Sequence, residues 1–426
     1  MSRSRLDEYR ESVLKGSVIA SLLRLGAPPM VAQLAHVAYS VFNSLWLTLY
    51  SEAAIAVPRQ VFPVSFAFNA ILIMFTTAGT SLISQFVGAR MYSNVKEEAS
   101  RLLTAALAFS SISAAAFYFF RPLIFGKLVA SPPEILEEVM RYTAVTAINV
   151  VLSSVSSALT VLVSSVGETR LTSAINIAAV AVNTILDPFF ILGVGPLPRL
   201  GAMGSALTDS IGLTISSASL FLLIRRKFPE ITPVPTLSFT YQWFATVARI
   251  GGPVALTMFT NSLAFMTQVR MVNEFGVYVA AAYSIGFIVL DIVDAAMWGL
   301  SGSIAIIVGQ CLGAGELKRA KEAAIKGSLF IALLIGLGAL AMFPVKENVV
   351  RVFTSNPVVV KHSIEFLDTI LLGLPFFALF IAGNSAARGA GRTLIPTAIG
   401  LARLWLVRIG LSYVLAFVLG LSLIHI

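Results

Sequence analysis

Eleven runs of about twenty or more apolar residues divide this chain, near 22–50, 55–86, 101–120, 138–164, 171–195, 201–224, 246–274, 277–308, 326–344, 364–386 and 394–420. Each is long enough to cross a bilayer as a helix. In hydrocarbon a spanning backbone must satisfy its own polar groups, which leaves helices as the solution for separate apolar runs. The class that follows is an all-α polytopic membrane protein. Composition agrees, because 57% hydrophobic and 12% charged residues lie outside the soluble range. The loops between runs are too short for a soluble domain. Residues 1–16 are polar and charged with no apolar core of a signal peptide, so the first span is expected to start insertion. The single Cys311 excludes an intrachain disulfide, and histidines at 36, 362 and 425 are too few and too scattered for a zinc site.

A net charge of +9 raises the question of nucleic acid, and the loops answer it. Assigning Lys and Arg to alternating sides puts nineteen on the side of the N-terminal tail, including Arg90, Lys96, Arg225, Arg226, Lys227, Lys318 and Arg319. The other side collects nine, and Arg403 and Arg408 fall within the eleventh span. The positive-inside rule then places the N-terminus in the cytoplasm and the chain in the cell membrane, with no nucleic-acid partner.

A repeat appears at a spacing of 225 residues: Arg24 pairs with Arg249, Gly26 with Gly251, Pro28 with Pro253, Gln85 with Gln310 and Gly88 with Gly313. Further on the spacing is 224, pairing Pro133 with Pro357, Gly167 with Gly391 and Thr169 with Thr393. An even number of spans separates the copies, so two lobes should be related by a pseudo-two-fold axis along the membrane normal. The expected divisions are a cytoplasmic tail at 1–21, an N-lobe at 22–224, a cytoplasmic linker at 225–245 and a C-lobe at 246–426. The sixth span has no partner after the eleventh, so one of twelve helices is expected to be missing beyond residues 421–426. Pro229, Pro233 and Pro235 suit the linker to a semi-rigid joint.

Within the fifth span lies Asn183-Thr184-Ile185-Leu186-Asp187-Pro188. A carboxylate at the centre of a membrane helix costs roughly 2.5 to 3.5 kcal/mol, so such residues line cavities or ion paths. Asn183 lies one turn before Asp187 on the same face. The bland alternative is an acid near a helix end held by backbone donors.

Several motifs together resemble the multidrug and toxic compound extrusion (MATE) transporters. They are Gly79-Thr-Ser-Leu-Ile-Ser-Gln85-Phe-Val-Gly88-Ala89, its echo Val308-Gly-Gln310-Cys-Leu-Gly313-Ala314, Leu186-Asp187-Pro188-Phe-Phe-Ile-Leu-Gly193 and Trp405-Leu-Val-Arg408-Ile-Gly-Leu-Ser-Tyr413. Gly410 stands where that family usually has proline. The resemblance implies twelve helices in two six-helix lobes, and a cation site made by a first-helix aspartate, the Asn-x-x-x-Asp pair and a sixth-helix threonine. Two positions depart from it: the first-helix position is Asn43, and the sixth-helix position is an acid, Asp209. Pro28 matches a proline at which the first helix bends in some archaeal members, a gating bend. By helical rise Asn43, Asp187 and Asp209 all sit roughly 10 to 12 Å below the outer surface and can converge. Asp209 lies near a helix start, where the macrodipole tolerates an acid without function.

In the eighth span Asp291 and Asp294 lie one turn apart near mid-membrane, at the depth of Arg408. They are expected either to form a structural ion pair with Arg408 or to charge a C-lobe substrate cavity. The function expected is antiport: sodium ion or proton moving inward drives a small cationic amphipathic organic molecule outward by rocking of two lobes. No catalytic residue, cofactor or bound metal is expected beyond sodium at Asp187 and Asp209, and the expected state is a monomer in the lipid bilayer. The alternative is a lipid-linked oligosaccharide flippase, favoured by Arg403 and Arg408 and opposed by the intramembrane acids. An intramembrane enzyme lacks a His-Glu-x-x-His pair, and ATP drive lacks a phosphate loop.

Overall fold

A computed structural model describes residues 4–51, 53–195 and 197–420. Its eleven long helices are α2 (Val18–Tyr50), α3 (Ala56–Gly88), α4 (Tyr92–Leu123), α5 (Pro133–Val166), α6 (Arg170–Leu192), α7 (Ala202–Lys227), α8 (Tyr241–Asn273), α9 (Val277–Gly313), α10 (Leu317–Met342), α12 (Pro357–Gly389) and α13 (Leu394–Ala402), the last continuing as a π-helix over Arg403–Leu411 and Val414–Val418. Two helices are short, α1 (Arg5–Leu14) and α11 (Lys346–Phe353). Among the described residues ten helices are long and apolar enough to cross a membrane. The remaining expected span, α8, is a 33-residue helix interrupted by Gln242, Arg249, Asn261, Gln268 and Arg270. Residues 421–426, where the sequence suggests a loop, lie outside the described residues.

The two halves interlock reciprocally. Val18, Leu22 and Leu25 at the start of α2 are buried in the core built by α9, α10 and α12. In turn Trp243, Val247 and Ile250 at the start of α8 are buried among α3, α4, α5 and α7. The repeated glutamines sit at this crossing: Gln85 Nε2 donates to Gly389 O at 3.0 Å, and Gln310 Nε2 donates to Ser165 O at 2.7 Å. Those two carbonyls are themselves repeat partners. Thr169 and Thr393 likewise donate to the carbonyls of Arg24 and Arg249. Gly167 and Gly391 both hold positive φ, +109° and +69°, which explains why the repeat keeps glycine there. A Cβ on Gly88 would lie 2.0 Å from Gln310 O, and one on Gly313 would lie 1.9 Å from Gln85 O, so each glycine admits the backbone of the other lobe. The lobes therefore close on one another at the end that carries the N-terminal tail.

The polar tail folds as a helix, α1. Ser4 caps α1 by accepting from Leu6 N at 3.3 Å, with Asp7 and Glu8 in the first turn, where the helix dipole favours acids. α1 then bridges both lobes. Tyr9 donates to Glu168 Oε2, Arg10 Nε to Gly88 O at 2.7 Å and Tyr92 OH to Asp7 at 2.7 Å, all within the first lobe. From the second lobe, Arg319 donates to Val13 O and Gly16 O, each at 2.9 Å, capping the helix C-terminus.

Burial pushes the Glu168 carboxyl up, but hydrogen bonds from Lys227 and Tyr9 outweigh it and hold the group below its usual 4.5. A carboxylate with a depressed folded pKa contributes stability above the unfolded value and loses it as pH falls through the folded one. The tail should thus stay docked at neutral and mildly acidic pH and loosen only below about 4.5. Hydrogen exchange of residues 4–16 should show this, with Glu168→Gln loosening them at neutral pH.

The linker is shorter than expected, since α7 runs to Lys227 and α8 begins at Tyr241. It is stapled to α4: Val234 N donates to Ser100 Oγ and Thr236 N to Thr104 Oγ1, both at 3.1 Å. Arg101 Nε donates to Ser238 O at 2.7 Å.

Candidate functional site

The acids in the first lobe are assembled by close approach of α6 and α7. On α7, Gly204, Thr208 and Gly212 recur every fourth residue and so share one face. A Cβ on Gly204 would fall 2.4 Å from Phe190 O, and one on Gly212 would fall 2.1 Å from Asn183 Oδ1. At Gly204, where the neighbour is backbone, a side chain would push the helices apart, and their meeting places Thr208 against Asp187. The Thr208 hydroxyl lies 2.5 Å from Asp187 Oδ1 and 2.8 Å from Ser205 O. Asp187 is fully buried, and its Oδ2 has no hydrogen-bond partner among the described residues.

Asp209, the next residue after Thr208, turns toward α2 and α6. Its Oδ1 accepts from Tyr39 OH at 2.8 Å and from Asn183 Nδ2 at 3.1 Å. Asn183 Oδ1 is buried and unpaired. The site thus joins three helices through Tyr39, Asn183, Asp187, Thr208 and Asp209.

Asn183, Asp187 and Asp209 stand together, but Asn43 does not join them. No hydrogen bond links Asn43 to either acid, and its Oδ1 is buried without a partner. The first-lobe helix reaches Asp209 with Tyr39 instead, one turn earlier, because a phenol is long enough to bridge from α2. The hydroxyl that the resemblance implies is also present, on Thr208 rather than replaced by Asp209. Spacing gives only a partial signal for either: Tyr39 lies four residues before Asn43, and Thr208 is centred between two glycines, but neither spacing says which side chain reaches the acids. Pro28 lies inside α2 beside Pro29, on the stretch that packs on Leu300 and Gly299 of α9.

A cavity of about 710 Å³ opens beside the acids. Asn183 and Asp209 form part of its wall with Gln33 and His36, and the His36 ring lies 5.9 Å from that of Tyr39. The rest is mainly Ser, Thr and Asn, with no Lys or Arg and with Asp209 as its one acid among the described residues. Asp187 lies behind this wall.

A smaller cavity of about 240 Å³ occupies the matching place in the second lobe. The repeat relates their walls: Ser153 and Ser156 correspond to Phe377 and Phe380, Ser164 to Arg388, Ala179 to Arg403 and Asn69 to Asp294. The Asn-x-x-x-Asp pair has no such copy, for Val407 and Leu411 stand at those positions. Asp294 lines this cavity with Arg408, while Asp291, one turn away, is exposed. Among the described residues Arg408 makes no ion pair within 4 Å with either acid, although Asp294 stands on the same cavity wall and feels its charge. Arg408 instead shares the wall with two further guanidiniums. Two to three turns into α12, Asp368 pairs with Lys346 and Glu365 lies 3.2 Å from His362, which accounts for these acids structurally.

Two interlocked half-repeats enclosing buried carboxylates and paired cavities define a two-lobed membrane transporter. The MatE family matches residues 28–189 and 253–414, one match per repeat, and the chain belongs to that family. It is 24% identical over 422 residues to an FAD transporter of Shewanella oneidensis, covering 97% of this chain and 91% of that one. It is also 24% identical over 419 residues to a probable multidrug resistance protein NorM of Listeria monocytogenes, covering 96% and 90%. Among solved structures, a MOP superfamily transporter from Pyrococcus furiosus, described as having a binding pocket of reversed polarity, superposes with a TM-score of 0.89 at 16% identity. That likeness covers 100% of this chain and 93% of the other. The Vibrio cholerae transporter VcmN in its bent form gives 0.85 at 19% identity, covering 95% and 91%.

Proposed function

We propose that this protein is a multidrug efflux antiporter of the cell membrane, with its N-terminus in the cytoplasm. A proton or sodium ion enters through Asp187 and Asp209 as a cationic amphipathic organic molecule leaves. The observation that carries the reading is Asp187, fully buried against Thr208 with one oxygen unpaired, next to Asp209 on the cavity wall. A buried carboxylate in this position binds a cation or a proton, or else costs several kcal/mol.

Counting donors supports a proton. The Thr208 hydroxyl has one hydrogen, yet two acceptors lie within bonding distance, Asp187 Oδ1 and Ser205 O. A protonated Asp187 resolves this by donating to Thr208, which then donates to Ser205 O. Sodium has separate support from two unpaired oxygens, Asp187 Oδ2 and Asn183 Oδ1, which are hard donors.

A cavity with one acid and no Lys or Arg suits a cationic cargo. Relatives named as multidrug resistance proteins support efflux; the one named for FAD makes the sign of the cargo worth measuring. Closure of the lobes at the tail end corresponds, with a cytoplasmic tail, to an outward-open state. The flippase alternative rests on the arginines of the second-lobe cavity, which at about 240 Å³ is smaller than most drug-sized sites. The test is efflux of a cationic dye from proteoliposomes under a sodium or a pH gradient. Dependence on one gradient and on both aspartates supports the reading, whereas lipid translocation without dye movement overturns it.

A further inference from the structure

The second-lobe cavity is the counterpart of the first in place but its opposite in chemistry. Where the first lobe presents serines at 153 and 156, the second presents Phe377 and Phe380; where it has Ser164 and Ala179, the second has Arg388 and Arg403. Duplication supplied one pocket twice, and the second copy now holds three arginines, with Arg408, against the single carboxylate of Asp294. None of the three has a carboxylate oxygen within 4 Å among the described residues.

The arginines are held by rings rather than by acids. The Arg403 guanidinium lies 5.0 Å from the Phe380 centroid and 5.2 Å from that of Phe377, and Arg388 lies 5.5 Å from that of Trp298. Cation–π contact fixes a guanidinium plane while leaving its edge N–H groups to donate elsewhere. The Nε atoms of both Arg388 and Arg403 are buried and have no acceptor among the described residues, although Arg388 Nη2 reaches Ser385 Oγ at 2.5 Å.

Arg408 joins this wall through the backbone. Residues five apart on an α-helix point roughly 140° from one another, given 3.6 residues per turn. Over Arg403–Leu411 the chain winds instead as a π-helix, whose i→i+5 bonding brings residues five apart near one another. Both Arg403 and Arg408 therefore line one cavity.

We infer that this cavity is a second ligand site, selective for a small aromatic anion, with its carboxylate, sulfonate or phosphate on the arginine edges and its ring among Phe377, Phe380 and Trp298. About 240 Å³ suits one or two rings and excludes a dinucleotide. The site goes beyond the antiport reading, and binding here does not need Asp187 or Asp209.

The test uses purified protein and three probes that share a ring: 2-naphthoate, 2-naphthylmethylammonium and 2-naphthalenemethanol, titrated by calorimetry. Naphthoate should bind at least about tenfold more tightly than either analogue and should weaken with salt. Arg403→Gln should weaken it about tenfold, Arg403→Lys should restore part of the loss, and Asp187→Asn should leave it unchanged, with folding checked by elution volume and thermal melt. Equal affinity for the three probes, tighter binding of the ammonium, or indifference to Arg403→Gln in folded protein would overturn the assignment. Dye efflux driven by an ion gradient would survive that failure, so the two proposals fall separately.

Discussion

Asp187→Asn should abolish gradient-driven efflux of a cationic dye while leaving the protein folded and able to bind the dye. Asparagine is nearly isosteric and can still meet the Thr208 hydroxyl, so packing between α6 and α7 is kept. What it removes is the one group at this point able to gain a proton or a full negative charge. A protonation or cation step that no longer exists cannot be coupled, and the loss should exceed about tenfold, the consequence of roughly 1.4 kcal/mol in ion affinity. Asp209→Asn should act less severely. Its Oδ1 serves two donors, Tyr39 and Asn183, and asparagine can still accept from both, while the cavity loses its single acid. Tyr39→Phe separates these roles, because it removes a donor to Asp209 without touching Asp187 and should shift the ion dependence more than the maximal rate. Initial efflux rates in proteoliposomes across a series of pH values and sodium concentrations measure all three. If Asp187→Asn retains full gradient-driven rates, the coupling assignment fails.

Much of the fold was legible because membrane insertion forces it to be. Apolar run length gave the helices, and the repeat gave the pseudo-symmetry, down to Gln85 and Gln310 reaching for paired carbonyls. Amphipathic detail at the tail was not legible, since Tyr9, Arg10 and Arg319 become partners only when the lobes fold together. At the candidate site, the Asn183–Asp187 pair is local to one helix and could be read from spacing. Tyr39 and Thr208 were missed for a different reason: which residue of α2 reaches α7 depends on helix rotation and side-chain length, and one-dimensional depth carries neither. The same limit explains Arg408. Depth alone matched it to Asp291 and Asp294, whereas the local π winding sets it on the cavity wall with Arg403, where Asp294 also stands but not within ion-pair distance.

Gly313→Ala should shift the resting state of the protein from closed to open at the tail end. The added Cβ would lie 1.9 Å from Gln85 O, a backbone atom that cannot swing aside as a side chain can. Ordinary contact needs about 3.5 Å, so the two lobes must separate there by roughly 1.5 Å. Packed interfaces change between discrete arrangements rather than stretching, and overpacking of this kind costs on the order of 1 to 3 kcal/mol. That is enough to move an equilibrium about five- to 150-fold. Gly88→Ala makes the same demand through Gln310 O, at 2.0 Å, and the repeat predicts a similar effect. The double variant should add little, because the first substitution has already opened the interface that the second would crowd. Spin labels at Ser93 and Lys318, exposed positions related by the repeat, would report the separation; the buried Cys311 should not take label. Their distance should lengthen in either single variant, and efflux should slow as return to the state closed at the tail end becomes costly. An unchanged distance together with unchanged efflux would show that closure of the lobes at Gly88 and Gly313 is not the step that rocks.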